Sequence, residues 1–219
     1  MGSKRKAPLK KKHNRRWVMP LAVVLLVVVA LSVAYLAVPK TSMDFTVTVP
    51  ENVPQELKSM ATYYLEIMHN LNCTETKKQM TTRLNPHYNQ TDLFTWESSN
   101  LTFEVDPVWC DSPNEILNEG KGTCVQWSIV YVSACLSLGY QSRLVAAADT
   151  TQTPWTYIHV WAEDYYNGKW VHVDPSDHVW DNPSRYQSWD WGSGLGSTVR
   201  VYAFEDGSVV DVTSTYTPH

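Results

Sequence analysis

Hydrophobic and polar positions divide the chain into segments of different period. Residues 17–38 are 22 consecutive uncharged positions, rich in Val, Leu and Ala. As a helix rising about 1.5 Å per residue they would reach roughly 33 Å, enough for a bilayer core of about 30 Å. In residues 39–53, Phe45, Val47 and Val49 alternate with Thr46 and Thr48, which marks a candidate strand in a linker. Pro54 then precedes Leu57, Met60, Ala61, Tyr64, Ile67, Met68 and Leu71, the one-face spacing of an amphipathic helix. Ser112, Pro113 and Glu115 form a helix start, with a capping box between Ser112 and Glu115. Residues 123–138 are 16 positions without a charge, and Val125, Ile129, Val132 and Leu136 have helical spacing within them. Gly139 supplies the stop. Residues 141–148, 158–165, 169–175 and 198–204 read as strands. Asn167-Gly168 joins the second and third as a hairpin, so Tyr166 faces Lys169. Counting back from that pair brings His159 toward Asp174 and Ser176. Asp206-Gly207 turns the chain into a last strand over 208–216. A buried helix with hairpin-linked strands predicts an α+β fold.

Charge sharpens the domain plan. Eight Lys or Arg and no acid fall in the first 16 residues. The expected order is a basic cytoplasmic tail (1–16), a transmembrane helix (17–38), a linker (39–53) and one domain (54–219). The basic flank keeps the N-terminus in the cytoplasm and sends the domain outward. The bilayer is therefore an expected partner, through residues 17–38. Beyond Lys40 the chain has nine basic residues against 22 acids, which argues against a nucleic-acid partner. Asn72, Asn89 and Asn100 head three Asn-x-Thr sequons, which suits an outer domain and suggests a surface excursion there. Outside the cell disulfides form, and Cys73 and Cys110, both in loop-like sequence, are the expected pair. Cys135 reads as a buried small apolar residue.

The chemistry gathers around Gly120-Lys121-Gly122-Thr123-Cys124. Cys124 opens the uncharged helix. Unpaired N–H groups and the helix dipole stabilise a thiolate at such a terminus, and the same N–H groups can hold an oxyanion. The glycines let the backbone approach closely. A cysteine nucleophile needs a base, and the base needs an orienting group. The hairpin brings His159 and Asp174 into one region, while His172 is a rival base on the strand of Asp174.

Gly-x-Cys opening a helix, His159-Val160-Trp161 on a strand and Trp170-Val171-His172-Val173-Asp174-Pro175 after it resemble the transglutaminase-like superfamily. The similarity is strongest to peptide N-glycanases, including Cys124-x-x-Trp127 and the tail through Thr213, and covers about residues 110–215. The two zinc-binding Cys-x-x-Cys pairs of those enzymes have no counterpart here. The resemblance implies a papain-like core with Cys124 as nucleophile, His159 as base and Asp174 as orienting carboxylate. By the same analogy Trp109 or Trp96 would support the oxyanion. It implies a cysteine-dependent amide hydrolase or acyltransferase working through a thioester on protein or glycoprotein, without metal or organic cofactor. Peptide N-glycanase is one outcome, transglutaminase-like protease another, and a non-catalytic surface binding module a third.

Overall fold

The computed structural model describes residues 47–105, 110–186 and 198–217. The chain divides into two units, Met1–Phe45 and Thr46–His219, and the described residues belong to the second. The expected transmembrane helix therefore lies outside the described residues. Among those described, no helix is long and apolar enough to cross a membrane. The candidate strand of the linker does not form over residues 47–50, and Val53 is already part of the core.

A short 3-10 turn at Gln55–Leu57 leads into helix α1 (Lys58–Asn70), which buries Met60, Ala61, Tyr64, Leu65, Ile67 and Met68. The segment of the sequons is not a surface excursion apart from the core, since Met80 and Leu93 in it are fully buried. It forms helices α2 (Cys73–Arg83) and α3 (Gln90–Asn100). The asparagines are what start them. Asn72 caps α2 by accepting from Glu75 N, and Asn89 caps α3 in a reciprocal box with Asp92. All three sequon asparagines stay exposed.

A parallel pair, β1 (Thr102–Phe103) and β2 (Lys121–Gly122), brackets helix α4 (Pro113–Glu119). Pro113 takes the first position of α4, but the Ser112 side chain makes no capping bond. Helix α5 (Cys124–Ser137) follows and is buried from Cys124 through Cys135. A helix apolar on all sides must be enclosed, and α1 to α4 lie with α5 over the sheet. Each fully buried Ile or Val there contributes on the order of 1.5–3 kcal/mol.

The sheet has strand order β6-β5-β4-β3-β7-β8, every pair antiparallel. Its strands are β3 (Ser142–Asp149), β4 (Thr156–Tyr166), β5 (Lys169–Asp174), β6 (Val179–Trp180), β7 (Val199–Glu205) and β8 (Ser208–Asp211). The β4–β5 register pairs Tyr166 with Lys169 and Glu163 with His172, as Asn167-Gly168 demands. One face, with Leu144, Ala146, Val160, Ala162 and Val173, packs under α5. The other, with Val145, Ala147, Trp161 and Val201, is covered by Tyr186 and Tyr216. The expected final strand stops at Asp211. Helix α6 (Thr213–Tyr216) then turns Tyr216 beneath the sheet, where its hydroxyl donates to Glu163 Oε1 (2.6 Å) and accepts from Trp161 Nε1 (2.9 Å). Glu163 also holds the buried Arg143, whose guanidinium lies 3.8 Å over Trp170.

No Cys73–Cys110 disulfide forms; both are free thiols. Cys73 lies beside Ser133, and Cys110 Sγ accepts from Gln126 Nε2 at 3.7 Å. Those contacts are two turns apart on α5, about 10 Å along its axis. A disulfide needs the two Cα atoms within about 7 Å.

Helix α3 braces the turn after β5. Ser98 Oγ donates to Pro175 O (3.3 Å), and Phe94 meets Trp180 edge-on at 5.5 Å. On the same helix Glu97 is fully buried and neither carboxylate oxygen has a partner. Burial, and then the nearby Asp164, push its acid well above the ordinary range. Folding thus favours the neutral acid more than the unfolded chain does, so the stability Glu97 contributes is complete below about 4.5 and is lost as pH rises above it. Glu97→Gln should remove that part of the slope and leave the domain at least as stable as wild type at pH 8. Urea unfolding at pH 5 and pH 8 measures both.

Candidate active site

The loop before Cys124 is shaped by local sterics. Gly120 ends α4 at φ +69°, a left-handed conformation that suits glycine. At Gly122 an added Cβ would stand 2.8 Å from Gln126 Cβ. Gly122 is thus needed for the fit of Gln126. Gln126 Oε1 accepts from Thr123 N (3.0 Å), and its amide nitrogen reaches Cys110 O (3.3 Å). Trp127 Nε1 donates to Gly122 O (3.1 Å). These bonds hold Cys124 at the first position of α5, where the leading N–H groups have no carbonyl one turn back. Ser128 Oγ then ties Cys124 O (2.8 Å) to Val160 O (3.3 Å) on β4.

The structure brings Cys124, His159 and Asp174 together. His159 Nε2 lies 2.6 Å from Asp174 Oδ2, and the ring also hydrogen-bonds the Cys124 side chain. With Nε2 held by the carboxylate, Nδ1 is the nitrogen that serves the sulfur. Cys124 is 9% exposed and Asp174 is fully buried. Burial alone would disfavour the imidazolium, but the hydrogen bonds to Asp174 and Cys124 and their charges outweigh it, pushing His159 up to about 10. For Asp174 burial likewise opposes ionisation, and His159, Tyr186 and Ser176 together pull it down to about 2.

Tyr186, which sequence reasoning missed, joins the site from a 3-10 turn at Pro183–Tyr186. Its hydroxyl donates to Asp174 Oδ2 (2.6 Å). That leaves the Tyr186 oxygen to accept from His172 Nε2 (2.7 Å). His172 is therefore neutral with its proton on Nε2; burial, the main cause, takes it down to about 4. It stands behind Asp174, not beside the thiol, so it does not compete with His159 as a base. The other carboxylate oxygen accepts from Ser176 Oγ (2.7 Å) and Asp177 N (3.0 Å). No periodicity points to Tyr186. The nearest signal was the aromatic content of the stretch after Asp181. Trp109 lies outside the described residues. Trp96 packs with Arg83 5.9 Å from its ring. Among the described residues no group of three or more His, Cys, Asp or Glu is arranged to hold a metal ion.

Residues 74–175 match the family described as the transglutaminase-like superfamily. Over those residues the chain is similar to transglutaminase-like domains. A peptide-N(4)-(N-acetyl-beta-glucosaminyl)asparagine amidase of Oryza sativa subsp. japonica is 36% identical over 105 residues, 47% of this chain and 21% of that protein. The amidase of the same name from Gallus gallus is 33% identical over 108 residues, 48% of this chain and 15% of that protein. The chain thus spans about a fifth or less of the length of these relatives. A solved structure described as a cysteine-protease candidate from Cytophaga hutchinsonii overlays with TM-score 0.43 at 14% identity, covering 76% of this chain and 57% of that one.

Because folding raises the His159 value, its contribution to stability is complete below about pH 6.5 and is lost as pH climbs through about 10. The Asp174 contribution is complete above 3.8 and is lost as pH falls through about 2. In Asp174→Asn the His159 titration, followed by NMR of the ring, should drop by about 1–3 units. Tyr186→Phe removes the acceptor for the buried His172 N–H, and should cost about 1–3 kcal/mol in urea unfolding.

Proposed function

We propose that the chain is a membrane-anchored cysteine amidase, facing outward, that hydrolyses the side-chain amide linking a glycan to asparagine. The observation that carries this reading is the single imidazole bonded on one side to Cys124 and on the other to Asp174. The charge pattern around residues 17–38 and the exposed asparagines at 72, 89 and 100 support the anchoring and the outward side. The amidase relatives support the substrate class.

In the proposed reaction the Cys124 proton has already passed to His159 Nδ1 before substrate binds, leaving a thiolate beside the imidazolium. The thiolate attacks the amide carbonyl carbon, and charge moves to the oxygen, facing the N–H groups that open α5. As the tetrahedral species collapses, the C–N bond breaks and the imidazolium gives its proton to the leaving glycosylamine. A thioester remains on Cys124. His159 then removes a proton from water, the hydroxide adds to the thioester, and aspartate leaves as the thiol is restored. Asp174 stays ionised throughout, fixing the ring orientation and balancing the imidazolium.

Full-length chain and its Cys124→Ala variant, each incubated with unfolded glycoprotein and a primary amine, give the test by mass spectrometry. The expected result is aspartate at former glycan sites, reduced roughly 10²-fold or more in Cys124→Ala and in His159→Ala. New peptide termini would replace this reading with a protease. Amine adducts on glutamine would replace it with a transglutaminase. Products identical to those of the variant would leave a binding module.

A further inference from the structure

The strand that carries His159 has one residue more than its neighbour accommodates. In the β3–β4 ladder His159 stands opposite Ala147 and Tyr157 opposite Ala148, so Ile158 is an unpaired bulge. In a regular strand Tyr157 and His159, two apart, would share a face. The bulge separates them. His159 stacks on Trp161 at 5.8 Å, and Ile158 packs with the cluster that holds Trp161 and Tyr186. Tyr157 turns the other way, edge-on to Tyr64 at 6.5 Å, and Tyr64 shares with Cys124 the core cluster on the α5 side. Burial chiefly, and then the neighbouring Cys124, hold the Tyr157 phenol above its ordinary value. Tyr157 therefore stands on the thiol side of the sheet, and 43% of it faces solvent while Cys124 is 9% exposed.

An exposed ring beside a nearly closed nucleophile is a surface waiting for something flat. The residues that lead into it define the kind of partner. Thr151, Gln152 and Thr153 are exposed; the Thr151 hydroxyl and the Gln152 amide bond the Asp149 carboxylate (2.6 and 3.4 Å), and Thr153 adds a second hydroxyl. An aromatic face next to hydroxyls, an amide and a carboxylate suits a sugar ring, with apolar C–H groups on its flat side and hydroxyls around its edge. We propose that Tyr157 is a specificity-determining residue, whose open face stacks on the pyranose ring attached to the scissile amide nitrogen. The proposal rests on the amidase reading for the position of that sugar.

Binding is measured with full-length chain in the Cys124→Ala background. The probe is a peptide bearing one N-acetylglucosamine on asparagine, compared with the same peptide unglycosylated. Tyr157→Ala should weaken glycopeptide binding about tenfold or more, Tyr157→Trp should restore it, and binding of the plain peptide should be unchanged. In the Cys124-containing chain Tyr157→Ala should still be alkylated at Cys124 by iodoacetamide when folded and unfold cooperatively in urea, which shows an intact domain. Unaltered glycopeptide binding in Tyr157→Ala overturns the proposal. An equal loss for both peptides overturns it too, making Tyr157 a wall for peptide. Glycopeptide binding that depends on Tyr157, without any Cys124-dependent aspartate, removes the amidase reading and keeps the sugar contact. No binding of the glycopeptide at all removes the sugar contact.

Discussion

A carboxylate that is completely out of water and still charged is the constraint on which the site depends. Asp174 can stay ionised in that position only because its surroundings replace the lost hydration. His159 and Tyr186 donate to one oxygen, and Ser176 and the Asp177 amide to the other. Those donors come from β4, from the 3-10 turn and from the turn after β5. The carboxylate can therefore be buried only if three separate stretches arrive together. Removing its charge would free the imidazole to lose its proton, so the same bonds that stabilise the fold here also hold the ring as an imidazolium beside the sulfur.

The sulfur side has a different logic. Helix α5 has no charge, so it has nowhere to go but the interior, and its first turn carries the thiol to the sheet. The polar bonds there are few and local: Gln126 and Trp127 hold the preceding loop, and Ser128 bridges to Val160. The packing that encloses α5 falls to α2, α3 and α4, and α3 reaches past it to support the turn after Asp174. Nucleophile and carboxylate thus rest on shared supports, although they are fifty residues apart in the chain.

Much of this architecture was readable because a strong local pattern controlled it. The uncharged run of α5, the Asn167-Gly168 turn and the register it sets for His172 and Glu163 all appear as expected. What escaped were features with weak periodicity. Helices α2 and α3 are mostly polar and are recruited by α5, so their asparagines suggested a surface excursion where Asn72 and Asn89 are caps. Tyr216 has the same residue pattern in a strand or a short helix, and its bonds to Glu163 and Trp161 decide between them. Cys73 and Cys110 looked like partners because both sit in loop-like sequence, but each lies against a different turn of α5. The bulge at Ile158 left no trace at all, since one extra residue changes neither composition nor hydropathy.

The hairpin between β4 and β5 also acts as a counting device. Side chains alternate along both strands, so the residues that can meet Asp174 are set by parity as much as by distance. Two residues added at the Asn167-Gly168 turn would lengthen the ribbon and keep the same faces. One residue added would exchange them, turning the imidazole and the carboxylate toward opposite layers. Ile158 is a single extra residue that β4 has absorbed at the edge of the site. Descent with changes of length in this ribbon is thus restricted to even steps, or to odd steps hidden in a bulge.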